Sequence, residues 1–201
     1  FAGTELKEAE ETKKTIYEVF DKKVKLVSPG SDGLFILPSH FEAKGRVYGW
    51  SFYHTSGHFI RAIYEATATA AQMWLSMIQA LLGTKINDIR LVGGGSNSQV
   101  LSQIISDALQ KDIHLMEVNE ATALGAAILG FIGLNYYKSP EEAISKMVQI
   151  KSTLNPNKEN KKSYKKNKRI RNNILKLREE ERKKLKLLLR EDSERTIILS
   201  H

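Results

Sequence analysis

Eleven residues, Ile89-Arg90-Leu91-Val92-Gly93-Gly94-Gly95-Ser96-Asn97-Ser98-Gln99, constrain this chain more than any other stretch. They read as a short apolar strand, a three-glycine turn and the start of a helix. Three successive glycines remove every Cβ where the chain turns. The backbone there can take positive φ, and another group can come close to its N–H donors. A helix starting just after such a turn aims unpaired N–H groups and the positive end of its dipole at whatever sits there. The turn alone admits two readings, a tight strand-to-helix connection or a site for a nucleotide or other anion. It is not a Walker loop, because no Gly-Lys-Ser/Thr follows, and its glycines lack the spacing of a dinucleotide fingerprint.

The surroundings extend the pattern. Residues 4–20 predict a surface helix. Ser28-Pro29-Gly30-Ser31-Asp32-Gly33 is a dense turn cluster, and Leu34–Leu37 a short buried strand stopped by Pro38. Gly45–Phe52 predicts a second strand, on its aromatic and β-branched content. Thr55 or Ser56 caps a long helix that Gly83 ends, with Phe59, Ile63, Ala66, Ala70, Met73, Trp74, Met77, Ile78 and Leu81 as its apolar face. After the glycine turn, Val100, Leu101, Ile104, Ile105, Ala108 and Leu109 make the core face of the next helix. Ile113–Val118 predicts a strand, and a helix rich in Ala and Gly follows to Leu134. Ser139-Pro140-Glu141-Glu142 starts another helix. Strand, turn, helix, strand, helix is an α/β pattern, with parallel strands joined by right-handed crossovers.

Charge separates two parts. The net charge is +8, yet residues 158–201 hold 16 Lys/Arg against 7 Asp/Glu, which leaves residues 1–157 at −1. The expected domains are therefore a near-neutral globular part over 1–157 and a basic, mostly helical tail over 158–201. A uniformly basic nucleic-acid-binding domain is excluded. For the tail, a solvated charged helix is expected, because its charges lack interleaved aromatics. Binding of nucleic acid or an anionic membrane is the less favoured use. The chain contains no Cys, so no thiolate site or Cys nucleophile exists; this fits a reducing compartment, and the expected location is cytoplasmic. The apolar run Ala121–Leu134 is too short to span a bilayer. The chain opens on Phe1 rather than Met, which suggests a cut chain or a piece of a longer one.

Several stretches match, in order, a known pattern: Gly33-Leu34-Phe35-Ile36-Leu37-Pro38, Gly45-Arg46-Val47-Tyr48-Gly49-Trp50, and His54-Thr55 with His58 and Arg61-Ala62-Ile63-Tyr64-Glu65. Leu91-Val92-Gly93-Gly94-Gly95-Ser96, Glu120-Ala121-Thr122-Ala123-Leu124-Gly125-Ala126-Ala127 and Ser139-Pro140-Glu141-Glu142-Ala143 follow. Over roughly residues 1–165 the chain resembles the C-terminal part of the FGGY family of carbohydrate kinases, the group of xylulokinase, gluconokinase and glycerol kinase. The resemblance implies an α/β, ribonuclease-H-like fold of the actin and hexokinase type, the C-terminal half of a two-domain sugar kinase, with ATP between the domains. It implies that Gly94 and Gly95 lie against the adenosine of ATP and that the Gln99 amide faces base or ribose. Phe1-Ala2-Gly3 resembles a segment whose glycine, here Gly3, approaches the phosphates, with Lys7 beside them. The implied cofactors are ATP and Mg2+; the implied partners are a sugar or polyol and an N-terminal kinase domain.

Phosphoryl transfer needs a positioned carboxylate base, metal ligands and donors for the moving phosphate. By the resemblance, the catalytic Asp and the phosphate loops belong to polypeptide preceding Phe1, so no catalytic residue is assigned and the chain alone is expected to be inactive. Glu65, Asp107 and Glu120 stand singly on helices and are expected to cap or to face solvent. His40, His54, His58 and His114 lack metal-ligand spacing and are expected in core or cap roles. The loop Pro38–Gly45 is shorter than the family's. A homodimer is the expected consequence of apolar surface left where the N-terminal half would dock. The alternative function is a degenerate, non-catalytic interaction or regulatory module of the same fold.

Overall fold

The computed structural model describes residues 3–37 and 45–198. The expectations for Phe1, Ala2, His40 and the 38–44 loop lie outside these residues.

The helix predicted over 4–20 is in fact two, α1 (Gly3–Thr12) and α2 (Ile16–Val24), broken by Lys13 at a φ of 52°. The cause is local. Thr15 caps α2, accepting from Glu18 N at 3.3 Å, while Glu18 accepts from Thr15 N at 2.8 Å. This reciprocal box restarts the helix. The turn cluster then leads to β1 (Phe35–Leu37), paired antiparallel with β2 (Arg46–Tyr48). The predicted second strand stops early at Gly49, where φ is +71° and a Cβ would collide with the carbonyl of Gly33.

The long helix, α3 (Ser56–Leu82), has Thr55 as its cap and ends on Gly83 in the left-handed conformation, as the sequence predicts. Its buried face keeps Ala66 of the predicted one and otherwise differs. Ile60, Tyr64 and Ala68 enter the core with Arg61, Glu65 and Thr69, whereas Ile63, Trp74, Met77, Ile78 and Leu81 are exposed. The predicted face maximised apolar content. The structure instead buries the side that meets the next helix, because the polar residues there find partners.

The second sheet has the order β3-β4-β5. Strand β3 (Arg90–Leu91) pairs parallel with β4 (Ile113–Met116), the predicted arrangement. Helix α4 (Gln99–Leu109) connects them and packs on α3. Helix α5 (Ala121–Gly133) follows, then α6 (Pro140–Met147) with Ser139 as its cap. The structure adds β5 (Ile150–Leu154), antiparallel to β4 and bulged between Leu115 and Met116, so the sheet is mixed. The core lies between α3, α4 and β4, where Ile60, Tyr64, Ala68, Leu101, Ile104 and Ile113 pack together.

Residues through Tyr164 form one compact unit, and the chain from Lys165 onward forms another. The second consists largely of helix α7, which spans Lys161–Ile198.

Candidate functional site

The glycine turn does not run straight into α4. Gly93 has a φ of 85°, and Gly94–Asn97 form one 3-10 turn before Ser98 caps the helix. The turn is held from the end of β4. Gly93 N donates to Asn119 O at 2.9 Å, the single Ser96 hydroxyl proton is shared between Gly93 O at 2.7 Å and Asn119 Oδ1 at 3.0 Å, and Asn119 Nδ2 donates to Asn97 Oδ1 at 2.7 Å. Asn119 thus braces both ends of the turn.

The N-terminus of α4 is already filled. Ser98 Oγ accepts from Leu101 N at 2.9 Å and donates to Asp21 Oδ1 at 2.5 Å; Val100 N approaches Asp21 Oδ2 at 3.4 Å. Tyr64 also donates to Asp21 Oδ1, at 3.4 Å. A carboxylate from α2 therefore occupies the place where the sequence leaves room for an anionic guest. The physical reason is the one that recommended the site, since a helix N-terminus attracts negative charge. Burial, with the Asp21 charge nearby, pushes the Tyr64 hydroxyl up to about 12.

Gly94 and Gln99 are exposed and Gly95 half-exposed, within six residues of chain. A Cβ on Gly94 would lie 3.4 Å from the Tyr17 hydroxyl, and one on Gly95 3.4 Å from Leu101 Cδ2. The turn is thus a bare backbone ledge with a phenol at one side. Gln99 also borders an open cleft of about 610 Å3 with Lys25, Gln103, Asp107 and Tyr164. Gly3 and Lys7 are exposed on α1, whose packing is against α2. The structure therefore groups Gly94, Gly95 and Gln99 and puts Tyr17 of α2 beside them, while Gly3 and Lys7 stand on a separate element.

The single carboxylates are better satisfied than the sequence suggested. Glu65, expected as a cap or surface group, is buried and accepts from Gly30 N at 2.8 Å, Ser31 Oγ at 3.3 Å and Arg61 Nε at 3.0 Å. Burial raises its pKa above the usual carboxylate range, opposed by the hydrogen bond from Gly30 N and by the Arg61 charge. Arg61 also donates to Val24 O and to Tyr164 OH. Asp107, likewise buried, accepts from Gln103 Nε2, Asn157 N and Asn160 Nδ2, which anchors the turn after β5. Glu120 sits at the start of α5 without a side-chain capping bond. His58 caps α3 by accepting from Thr55 N at 3.1 Å, and His54 accepts from Ser51 N at 2.9 Å. His114 meets Thr153 Oγ1 at 2.8 Å. Among the described residues no cluster of three or more His, Asp and Glu could hold a metal ion. None of the described helices is long and apolar enough to cross a membrane.

Asp21, Asn119 and Tyr17 are the site residues that sequence reasoning missed. Nothing local in the sequence pointed to Asp21, which lies 77 residues before Ser98. Asn119, directly before the Glu120-Ala121 motif, was readable only as a helix start.

A mixed sheet with a parallel β3–β4 pair and a glycine turn after β3 defines an α/β protein. A match to the FGGY family of carbohydrate kinases, C-terminal domain, runs over residues 3–134. The L-fuculokinase of Escherichia coli K12 is 30% identical over 135 residues, 66% of this chain and 28% of that protein. The glycerol kinase of Bacillus velezensis is 33% identical over 121 residues, 56% of this chain and 24% of that protein. Among solved structures, xylulose kinase from Rhodospirillum rubrum superposes with a TM-score of 0.65 at 27% identity, covering 77% of this chain and 32% of that one. Plasmodium falciparum glycerol kinase with ADP superposes at 0.65 with 18% identity, over 87% of this chain and 37% of that one, a likeness of fold alone. The chain belongs to the FGGY family of carbohydrate kinases, in its C-terminal domain, and its fold is the ribonuclease-H-like fold of those kinases. It spans under a third of the length of these curated relatives.

Proposed function

We propose that this chain is the adenosine-binding portion of an ATP-dependent carbohydrate kinase, which transfers a phosphoryl group to a sugar or polyol hydroxyl in the cytoplasm. The observation that carries this reading is the braced, side-chain-free ledge at Gly94 and Gly95, next to exposed Gln99, inside a family match. The ledge fits a flat nucleoside, since backbone can approach it closely. Gln99 would orient base or ribose through its amide, and Tyr17 would close one side. Asp21 fills the helix N-terminus, so the ledge takes the neutral end of the nucleotide and leaves the phosphates elsewhere. ATP supplies the phosphoryl group; the base and the Mg2+ ligands belong to the portion that the relatives carry before this domain. Gly3 and Lys7 would face that phosphate end.

Surface chemistry supports such a partner. Among the described residues strand β3 is one of the two edges of the sheet, and a cavity of about 160 Å3 lies between the sheet and α5, lined by Val92, Met116, Val118, Leu124 and Ile128. Leu129 and Leu134 of the α5 region, and Leu81 of α3, are exposed. Apolar faces beside an open strand edge suit the remaining kinase half, or in its absence a second copy. The second reading, a non-catalytic module, is favoured by Asp21 holding the anion position of α4.

Calorimetric titration with ATP–Mg separates the two. Wild type is expected to bind, Gln99→Ala more weakly, and Gly95→Val at least about tenfold more weakly with an unchanged circular dichroism spectrum, a loss of about 1.4 kcal/mol. No heat from wild type, or equal affinity in Gly95→Val, overturns the kinase reading and leaves the module.

A further inference from the structure

Helix α7 carries a charge pattern that the kinase reading does not use. From Lys165 to Arg178 the sequence is KKNKRIRNNILKLR, seven Lys/Arg and no Asp or Glu. Lys165, Lys166, Lys168, Arg169 and Lys176 are exposed, and so are Asn172 and Asn173. Lys165, Arg169, Asn172 and Lys176 recur at the spacing of one helical face. Among the described residues no ion pair is formed by Lys165, Lys166, Lys168, Arg169 or Lys176; in the chain the flanking acids are Glu159 before the stretch and Glu179 after it, where Lys183 pairs at 3.7 Å.

Such a helix repels itself. Lys165 and Arg169 are four residues apart, while Lys165–Lys168, Lys166–Arg169 and Lys168–Arg171 are three apart. Like charges at these spacings each cost about 0.2–0.5 kcal/mol. A solvated helix ordinarily mixes signs, as this one does only after Arg178. A polyanion relieves the repulsion and gains entropy by releasing its own counterions.

Spacing and size favour one polyanion. Five exposed cations over twelve residues, at about 1.5 Å rise, give one positive charge per about 3.6 Å of helix axis, close to the axial charge density of one DNA strand, one phosphate per about 3.4 Å of duplex axis. A helix of about 10–12 Å diameter enters the major groove of B-DNA, and A-form RNA offers a groove too narrow for it. A membrane-surface helix would set large aromatics against the basic face. Here Leu177 is the exposed apolar residue of the stretch, and no Trp or Phe occurs after Phe131. We propose that the Lys165–Arg169–Lys176 face of α7 binds duplex DNA through its phosphates, independently of base sequence.

The test is fluorescence anisotropy of a labelled 20-base-pair duplex with the full chain, at a series of salt concentrations from 50 to 200 mM. Five phosphate contacts, from the three cations of that face and from Lys166 and Lys168 flanking it, predict an affinity loss of about 500-fold across that range, from a log–log slope near −4.5. The triple variant Lys165→Gln, Arg169→Gln, Lys176→Gln is expected to flatten the slope by about 2.7. Glutamine keeps helix propensity, so helicity by circular dichroism stays unchanged. A control variant, Lys14→Gln, Lys85→Gln, Lys146→Gln, has the same net charge and is expected to bind as wild type does. Equal weakening by the control makes binding a matter of net charge and overturns the proposal. So does an unchanged slope in the α7 variant, or tighter binding at equal salt to phosphatidylserine–phosphatidylcholine vesicles than to the duplex.

Discussion

Two successive strand-to-helix units of one sheet end differently. Helix α4 leaves β3, and α5 leaves β4; both are rich in apolar residues. Leu101, Ile104, Ile105 and Ala108 of α4 are buried against α3 and β4, and its N-terminus is closed by Ser98 and Asp21. In α5 the buried residue is Ile128 alone, Leu129 is 71% exposed, and no side chain caps the start. A Cβ at Gly125, Gly130 or Gly133 would meet nothing within 4 Å. Apolar character says that a helix needs cover. It does not say where the cover comes from. For α4 the cover is α3 and β4; α5 packs on α6, borders the cavity at the sheet through Leu124 and Ile128, and leaves Leu129 outward.

The contrast predicts unequal energetics. Ile104→Ala should cost about 2–5 kcal/mol by urea unfolding, because it removes packed methyl groups and leaves a cavity. Leu129→Ala should stay within about 0.5 kcal/mol in the same measurement. A large loss from Leu129→Ala in the isolated chain would show α5 already covered and would break the comparison.

The two helix starts give the next difference. Asp21→Ala strips the Ser98 hydroxyl and the first N–H groups of α4 of their acceptor, and is expected to cost about 1–3 kcal/mol. Glu120→Ala at the start of α5 should be neutral within about 0.5 kcal/mol. Equal costs would mean that Asp21 is replaced by water without loss.

Amide exchange sharpens the same point without mutation. Amides of α5 should exchange faster than those of α4, since helices with few buried contacts open locally at lower free energy. Slower exchange in α5 on adding a separately expressed N-terminal kinase portion would identify its missing cover. Unaltered exchange together with a demonstrated complex would place that partner elsewhere.

The smallest effect is alkaline. Tyr64, raised to about 12 by its burial beneath the capped end of α4, stays neutral in the fold after an unfolded tyrosine ionises. Its stabilising contribution is complete below pH 10 and is lost as pH rises toward 12. Tyr64→Phe should reduce the fall in stability over that window, followed by unfolding at several pH values. An unchanged fall would assign the window to other groups, of which Tyr164, also raised by burial, is one.

Much of the fold was legible in the chain because the signals are local. Thr55 and Gly83 bracket α3, Ser139-Pro140 opens α6, and the three glycines stand where β3 gives way to α4. The candidate ledge was legible for the same reason. The break between α1 and α2 was also local, in Thr15 and Glu18, and was passed over because the polar stretch around it looked uniformly helical. Strand β5 was not legible: Ile150-Lys151-Ser152-Thr153-Leu154 is short and mostly exposed, and it becomes a strand by pairing with β4.

The amino-acid sequence by itself determined where helices start and stop, where the glycine ledge lies, and to which kinase family the domain belongs. These follow from caps, glycines and short motifs, whose physics acts over a few residues. Tertiary structure alone decided which face of α3 is buried, that Asn119 braces the turn, and that Asp21 fills the helix end offered to an anion. Asp21 and Ser98 are 77 residues apart in the chain. Only folding brings that carboxylate to the dipole that attracts it, so no local pattern could announce that the anion place was taken.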